Sequence, residues 1–158
     1  MVIMSVTVCY RFSQHFSVLP NQAYLWCTDF SPQDPQLLGG IITERQVVSL
    51  SEGLILLKDI LRADNSVVVE KQKLVHLYPS KLSWVLTHIT GSTKYSQFRY
   101  EILPDPSGCH LNYEALQVEH EKGSLTSEEK LQLAKMLCKK DSEMWQLLAV
   151  AMEQELNK

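Results

Sequence analysis

The sequence predicts an α+β domain in which a long C-terminal amphipathic helix lies across a curved antiparallel sheet. Three observations carry this. An apolar stripe runs from about Leu125 to Leu156 without a Gly or Pro to break it. Evenly spaced turn signals divide the chain from Ile41 to about His120 into short β-rich segments. A two-residue alternation of apolar side chains marks the first segment.

From Ser5 to Val18, the residues Val6, Val8, Tyr10, Phe12 and Phe16 fall on one side at period two, the pattern of a half-buried strand. Pro20 opens a new element with Asn21 as a candidate cap, and Ala23, Tyr24, Trp26, Cys27 and Phe30 follow at near-helical spacing. A second short helix is expected from about Pro32 to Leu38, ended by Gly39-Gly40. Turn chemistry then recurs at Ser51-Glu52-Gly53, Ala63-Asp64-Asn65-Ser66, Pro79-Ser80-Lys81, Thr90-Gly91-Ser92 and Pro104-Asp105-Pro106-Ser107-Gly108. Links this short join antiparallel neighbours, because a parallel pair needs a crossover of a dozen residues or more. The expectation is a six-stranded meander, seven strands with the first. Ser124 or Thr126 can cap the last helix, and Thr126-Ser127-Glu128-Glu129 has the capping-box pattern. Leu131, Ala134, Cys138, Trp145, Leu148, Met152 and Leu156 recur at helical steps. Such a helix is about 45 Å long and needs an apolar surface to cover. The inner face of the sheet is the only candidate.

The 158 residues suit one domain with no internal boundary, and 45% apolar with 21% charged residues is ordinary for a packed protein. A net charge of -3 offers no basic footprint for nucleic acid. No stretch is long and apolar enough for a membrane span. The N-terminal segment is interrupted by Arg11, Gln14 and His15 and reads as a strand, not as a signal peptide. Cys9, Cys27, Cys109 and Cys138 form no C-x-x-C pair, so free thiols in a reducing cytoplasm are the expectation.

Strand, two short helices, six-stranded meander and long helix make the helix-grip order. The run Ala23-Tyr24-Leu25-Trp26-Cys27-Thr28-Asp29-Phe30 with Ser31-Pro32-Gln33-Asp34 resembles the first helix and turn of the START/polyketide-cyclase (SRPBCC) superfamily. The stretch Gly91–Leu103, the Pro-Asp-Pro-Ser-Gly turn and Leu111-Asn112-Tyr113 resemble its penultimate hairpin, and Lys139-Lys140 with Trp145 fit its last helix. The resemblance covers nearly the whole chain. It implies a cavity between sheet and helix that holds sterols, lipids, polyketides or other apolar molecules, in carriers and sensors as well as in cyclases and aromatases.

Signatures of catalysis are sparse. No phosphate-cradling loop, G-x-S-x-G or H-E-x-x-H occurs, and no histidines approach a zinc spacing, so neither cofactor nor metal is expected. Cys109 and His110 are adjacent on a strand and point to opposite faces. Trp84, Phe98, Tyr100 and Tyr113 on the meander, with Trp145 and Leu148 on the helix, are candidate lining residues; the competing reading is an ordinary core. His76 and His88 are either polar anchors inside the cavity or ordinary strand histidines. Asp141 lies in the helix stripe and either faces the cavity or sits at its solvent edge. Arg45 and Asp59 on the first meander strands pose the same choice, and an inward Arg45 would select a carboxylate or phenolate. The leading expectation is a binder of a small hydrophobic molecule, of lipid, polyketide or aromatic type. A cyclase or aromatase using His76, His88, Arg45 and Asp141 is the first alternative. An interaction module without a ligand is the second, and self-association into a homodimer stays open.

Overall fold

The computed structural model describes residues 5–32, 34, 42–62 and 68–158. These residues form seven strands: β1 (Val6–Phe16), β2 (Ile42–Ser51), β3 (Leu54–Arg62), β4 (Val68–Tyr78), β5 (Ser83–His88), β6 (Gln97–Asp105) and β7 (Gly108–Glu119). Two α-helices join them, α1 (Pro20–Cys27) and α2 (Ser127–Leu156). The strands make one open antiparallel sheet in the order β1-β7-β6-β5-β4-β3-β2. Strands β2 to β7 are therefore the expected meander. Its last strand returns to pair with β1, in a register running from Val6 opposite Glu119 to Phe16 opposite Cys109.

The turn chemistry works as its residue types require. Glu52-Gly53 joins β2 to β3 with Gly53 at φ +72°, a conformation that costs glycine nothing. Pro79–Lys81 forms a single 3-10 turn between β4 and β5. Gly108 is fixed by crowding as well as by its φ of +145°: a Cβ there would lie 2.4 Å from the carbonyl oxygen of Phe16, where β1 ends against the β6–β7 turn. The expected turn at Ala63–Ser66 and nearly all of the expected second short helix at Pro32–Leu38 lie outside the described residues.

Helix α1 starts at Pro20, whose locked φ suits a first helical position. Asn21 is not its cap: Leu19 takes that position, and its N–H donates to Gln22 Oε1 at 3.2 Å. The helix buries Ala23, Tyr24, Trp26 and Cys27, and Trp26 Nε1 donates to Glu155 Oε2 at 2.9 Å, tying it to the end of α2. Helix α2 opens on the expected capping box, in which Thr126 Oγ1 accepts from Glu129 N and Glu129 Oε1 accepts from Thr126 N, both at 3.1 Å. Its buried residues are Leu133, Leu137, Trp145, Leu148, Ala149 and Met152. Leu131, placed in the stripe by its spacing, is 54% exposed. Leu133 and Leu137 carry the N-terminal part of the buried face instead. The reason is drift: one straight stripe cannot stay on one face for eight turns at 3.6 residues per turn.

The helix packs chiefly along β1 and also touches α1. The core lies between α2 and the β1-β7-β6 side of the sheet, where Phe16, Leu111 and Met152 have no exposed surface. Burying a side chain of this size contributes about 1.5–3 kcal/mol each.

Candidate functional site

Register decides which side chains face the helix. Trp84 lies opposite Tyr100, Tyr100 opposite Tyr113, and Tyr113 opposite Phe12, so these four form one row across β5, β6, β7 and β1. Alternation then turns Leu86 and His88 inward with Trp84, settling a choice that turn lengths left open. The row is an aromatic floor. Trp84 and Tyr100 stack with centroids 4.7 Å apart and planes 3° apart, and Tyr100 meets Tyr113 edge-on at 5.2 Å. Phe12 stacks on Tyr113 at 4.4 Å, and Phe98 lies 6.0 Å from the same ring. Trp145 descends from α2 onto Tyr100 at 5.8 Å. Its Nε1 is buried and has no hydrogen-bond partner among the described residues, a donor with unspent capacity. Leu148, one turn further along α2, is buried beneath the helix.

At one end of the floor Asp141 joins helix to sheet. Its Oδ2 accepts from the hydroxyl of Tyr10 at 2.5 Å and from that of Tyr113 at 2.6 Å. Asp141 thus faces the sheet and not the solvent edge. Burial, reinforced by the neighbouring carboxylate, holds both phenols protonated far above the ordinary tyrosine range. Lys139, a neighbour offered by sequence, lies 4.0 Å from Glu143 in an exposed pair.

At the other end lies a charged cluster. Arg45 on β2 donates through Nε and Nη2 to Asp59 on β3, at 2.7 and 3.0 Å, and Lys73 Nζ on β4 donates to the same carboxylate at 2.9 Å. Asp59 is completely buried. Burial alone would raise its pKa, but the two cations outweigh it and hold the carboxyl below the usual range. Burial lowers the pKa of Lys73, and Asp59 offsets part of that. His88 sits opposite Lys73, and its Nδ1 lies 2.9 Å from Thr93 Oγ1. Burial first, then the charges of Lys73 and Lys71, push its imidazole down to about 3.

That shift has a stability consequence. Above the ordinary imidazole pKa, His88 is neutral in both the folded and unfolded chain. As pH falls from there towards 3, the unfolded chain takes up a proton that the folded protein refuses. Stability therefore falls by up to about 1.4 kcal/mol per pH unit across this window. Urea unfolding of the wild type and of His88→Gln should show a shallower decline in the variant between about pH 6 and about pH 4. Equal slopes would mean that His88 is hydrated.

The two sides of the sheet are not filled alike. Inward residues of β1, β6 and β7 are mostly buried, whereas Ile55, Leu77 and Leu86 on β3, β4 and β5 face inward and remain only partly buried. An open depression of about 600 Å³ lies on the opposite, outer face, where Cys9, Val85, Arg99 and Glu114 line it. Sequence reading missed it, because it depends on how neighbouring outward side chains lean. Its walls include Arg99 and Glu114, both more than half exposed and only 4.0 Å apart in a loose ion pair. Val85 and Leu116 give it apolar lining as well, so it is the competing seat for an apolar molecule. His76 also faces outward, opposite Leu54 and Val85. Cys109 is buried while His110 lies 3.4 Å from Asp105, so the adjacent pair forms no dyad. Among the described residues, no group of three or more His, Cys, Asp or Glu could hold a metal, and no helix is long and apolar enough to cross a membrane.

The arrangement is thus an aromatic floor, a carboxylate joint at the β1-β7 side and a buried ion cluster at the β2-β4 side. Sequence reading missed Lys73. The clue was the even spacing of Arg45, Asp59 and Lys73 at fourteen residues, one hairpin repeat each.

No protein-family model matches the chain, and no curated protein matches it. Solved structures do. The di-domain ARO/CYC StfQ of the steffimycin biosynthetic pathway superposes with a TM-score of 0.74 at 9% identity over 97% of this chain, which spans about half (53%) of that one. A protein of unknown function from Staphylococcus aureus, SA2116, gives 0.78 at 12% identity over 99% of this chain and 100% of the other. Norcoclaurine synthase from Thalictrum flavum, solved with dopamine and hydroxybenzaldehyde, gives 0.63 at 10% identity over 97% and 87%. At such identities the likeness establishes the fold. The chain has a helix-grip fold, the one seen in these aromatase/cyclase and norcoclaurine synthase structures.

Proposed function

We propose that the protein binds a small apolar molecule, of lipid, polyketide or aromatic type, between the inner face of the sheet and α2. The observation that carries this reading is the incomplete filling of the inner face. Ile55, Leu77 and Leu86 point towards the helix side yet stay partly accessible, while α2 packs along β1 at the far side. An apolar surface left open inside a fold is the usual form of a ligand site, with a few polar groups to orient the guest. Trp84 and Tyr100 offer a flat stacking surface next to it, and Trp145 Nε1 an unspent donor. A norcoclaurine synthase of like fold, solved with two small aromatic molecules, supports the same reading.

A cyclase needs acid-base groups converging on one point. Here His88 lies beside the Arg45-Asp59-Lys73 cluster, whose carboxylate is engaged by both cations, while His76 faces outward and Asp141 is engaged by two tyrosines at the β1-β7 side. Binding without chemistry is the reading the geometry favours.

The test uses Nile red, a neutral apolar fluorophore. One probe per chain is expected to bind. Leu86→Trp, which fills the inner face, should weaken binding about tenfold or more by overpacking the site. Val85→Trp, one residue away on the outer face, should leave it unchanged. The opposite pattern would place the probe in the outer depression and overturn the proposal.

A further inference from the structure

We infer that the ligand carries an acidic oxygen head group, a carboxylate above all, and that Arg45 and Lys73 receive it at the β2-β4 side of the inner face while its apolar body lies towards Trp84. This rests on the binding reading above and adds the class of ligand.

The first argument is charge. Asp59 is one carboxylate serving two cations, Arg45 and Lys73, so the cluster carries a net positive charge. Lys71 lies opposite Asp59 on β4 and faces the same side. Asp34 and Asp29 feel the charge of Arg45, but among the described residues the ion pair of Arg45 is with Asp59. The side chains of Arg45 and Lys73 are only 11% and 16% exposed. Charges this far from water are costly unless each is matched, and within this trio one carboxylate faces two cations.

The second argument is donor capacity. Arg45 spends Nε and Nη2 on Asp59, which locks the guanidinium plane and leaves Nη1 without a hydrogen bond among the described residues. Lys73 Nζ spends one of its three protons. Asp59 thus orients two cations and leaves donors of both unspent. Holding a charged donor in place beforehand is what makes recognition of a carboxylate strong.

The third argument is the surroundings. Leu57 and Val75, the inward neighbours of Asp59 and Lys73 along β3 and β4, are essentially fully buried, and Leu86 continues the apolar surface towards Trp84. A charged spot at the edge of an apolar strip fits an amphiphile and not a small hydrophilic anion. The neutral ring of His88, facing Lys73, adds no competing negative charge.

The experiment compares a dansyl-labelled long-chain fatty acid with its methyl ester, by fluorescence titration of the full chain. The acid is expected to bind about tenfold tighter or more, the value of one or two charge-assisted hydrogen bonds. In Lys73→Met and Lys73→Gln, each shown to be folded by circular dichroism, this preference should shrink to about twofold or less. Equal binding of acid and ester by the wild type would overturn the inference and leave the cavity reading standing. So would a preference that both variants retain, or failure of both dansyl probes where Nile red binds. If none of the three probes binds, both readings fall.

Discussion

Replacement of Asp59 by alanine is expected to destabilise the protein by about 3–5 kcal/mol, the usual cost of leaving buried charge without its partner. Asp59 has no exposed surface, and its two oxygens take three hydrogen bonds from Arg45 and Lys73. Without it, the two inward cations on either side of β3 repel one another with little water to screen them. Equilibrium urea unfolding measures the loss. The companion experiment replaces the whole cluster, as Arg45→Met with Asp59→Leu and Lys73→Met. This triple variant should recover most of the stability, because a buried ion cluster is worth little relative to apolar residues of similar size. It should also lose the preference for the acid probe. Stability would then separate from binding, and the cluster would stand as a site kept at no structural gain. A loss below about 1 kcal/mol in Asp59→Ala would show the cluster to be solvated.

Replacement of Asp141 by alanine is expected to cost about 2–5 kcal/mol, since two buried phenolic hydroxyls lose their shared acceptor. Both Tyr10 and Tyr113 donate to the same Oδ2, one from β1 and one from β7. The carboxylate therefore fixes α2 against two strands at once. The coupling can be read directly. Tyr10→Phe and Tyr113→Phe should each destabilise the wild type and have little effect in the Asp141→Ala background. Additive losses would mean that the hydroxyls find water when the carboxylate is gone.

These two groups also show how far the sequence could be read. Alternation in Val6 to Phe16, the capping box at Thr126 and the turns among the described residues each report local geometry, and each reappears where expected. The aromatic set was legible for the same reason: Phe98 and Tyr100 are two residues apart on one strand, and so are Leu111 and Tyr113. What local pattern does not report is register. Arg45, Asp59 and Lys73 meet because two successive hairpins align them, and a slip of one residue in either would send a member to the other face. Spacing of fourteen is a consequence of that alignment, visible once it is known. Asp141 was ambiguous for a different reason. A helical stripe drifts, so a residue near its border faces in or out according to how the helix rolls. Leu131 falls outside the buried face by the same drift. The start of α1 at Pro20 shows a smaller limit, in that the side chain of Gln22 serves Leu19 where Asn21 was the obvious cap.

The central claim is that the incompletely filled inner face, and not the outer depression, receives a ligand. A crystal structure of the protein with Nile red bound tests it most directly. The account predicts probe density between α2 and the inward side chains of β3, β4 and β5, in contact with Leu86 and Trp84. Density seated on the outer face against Val85 and Arg99, with the inner face closed around Ile55, Leu77 and Leu86, would contradict it.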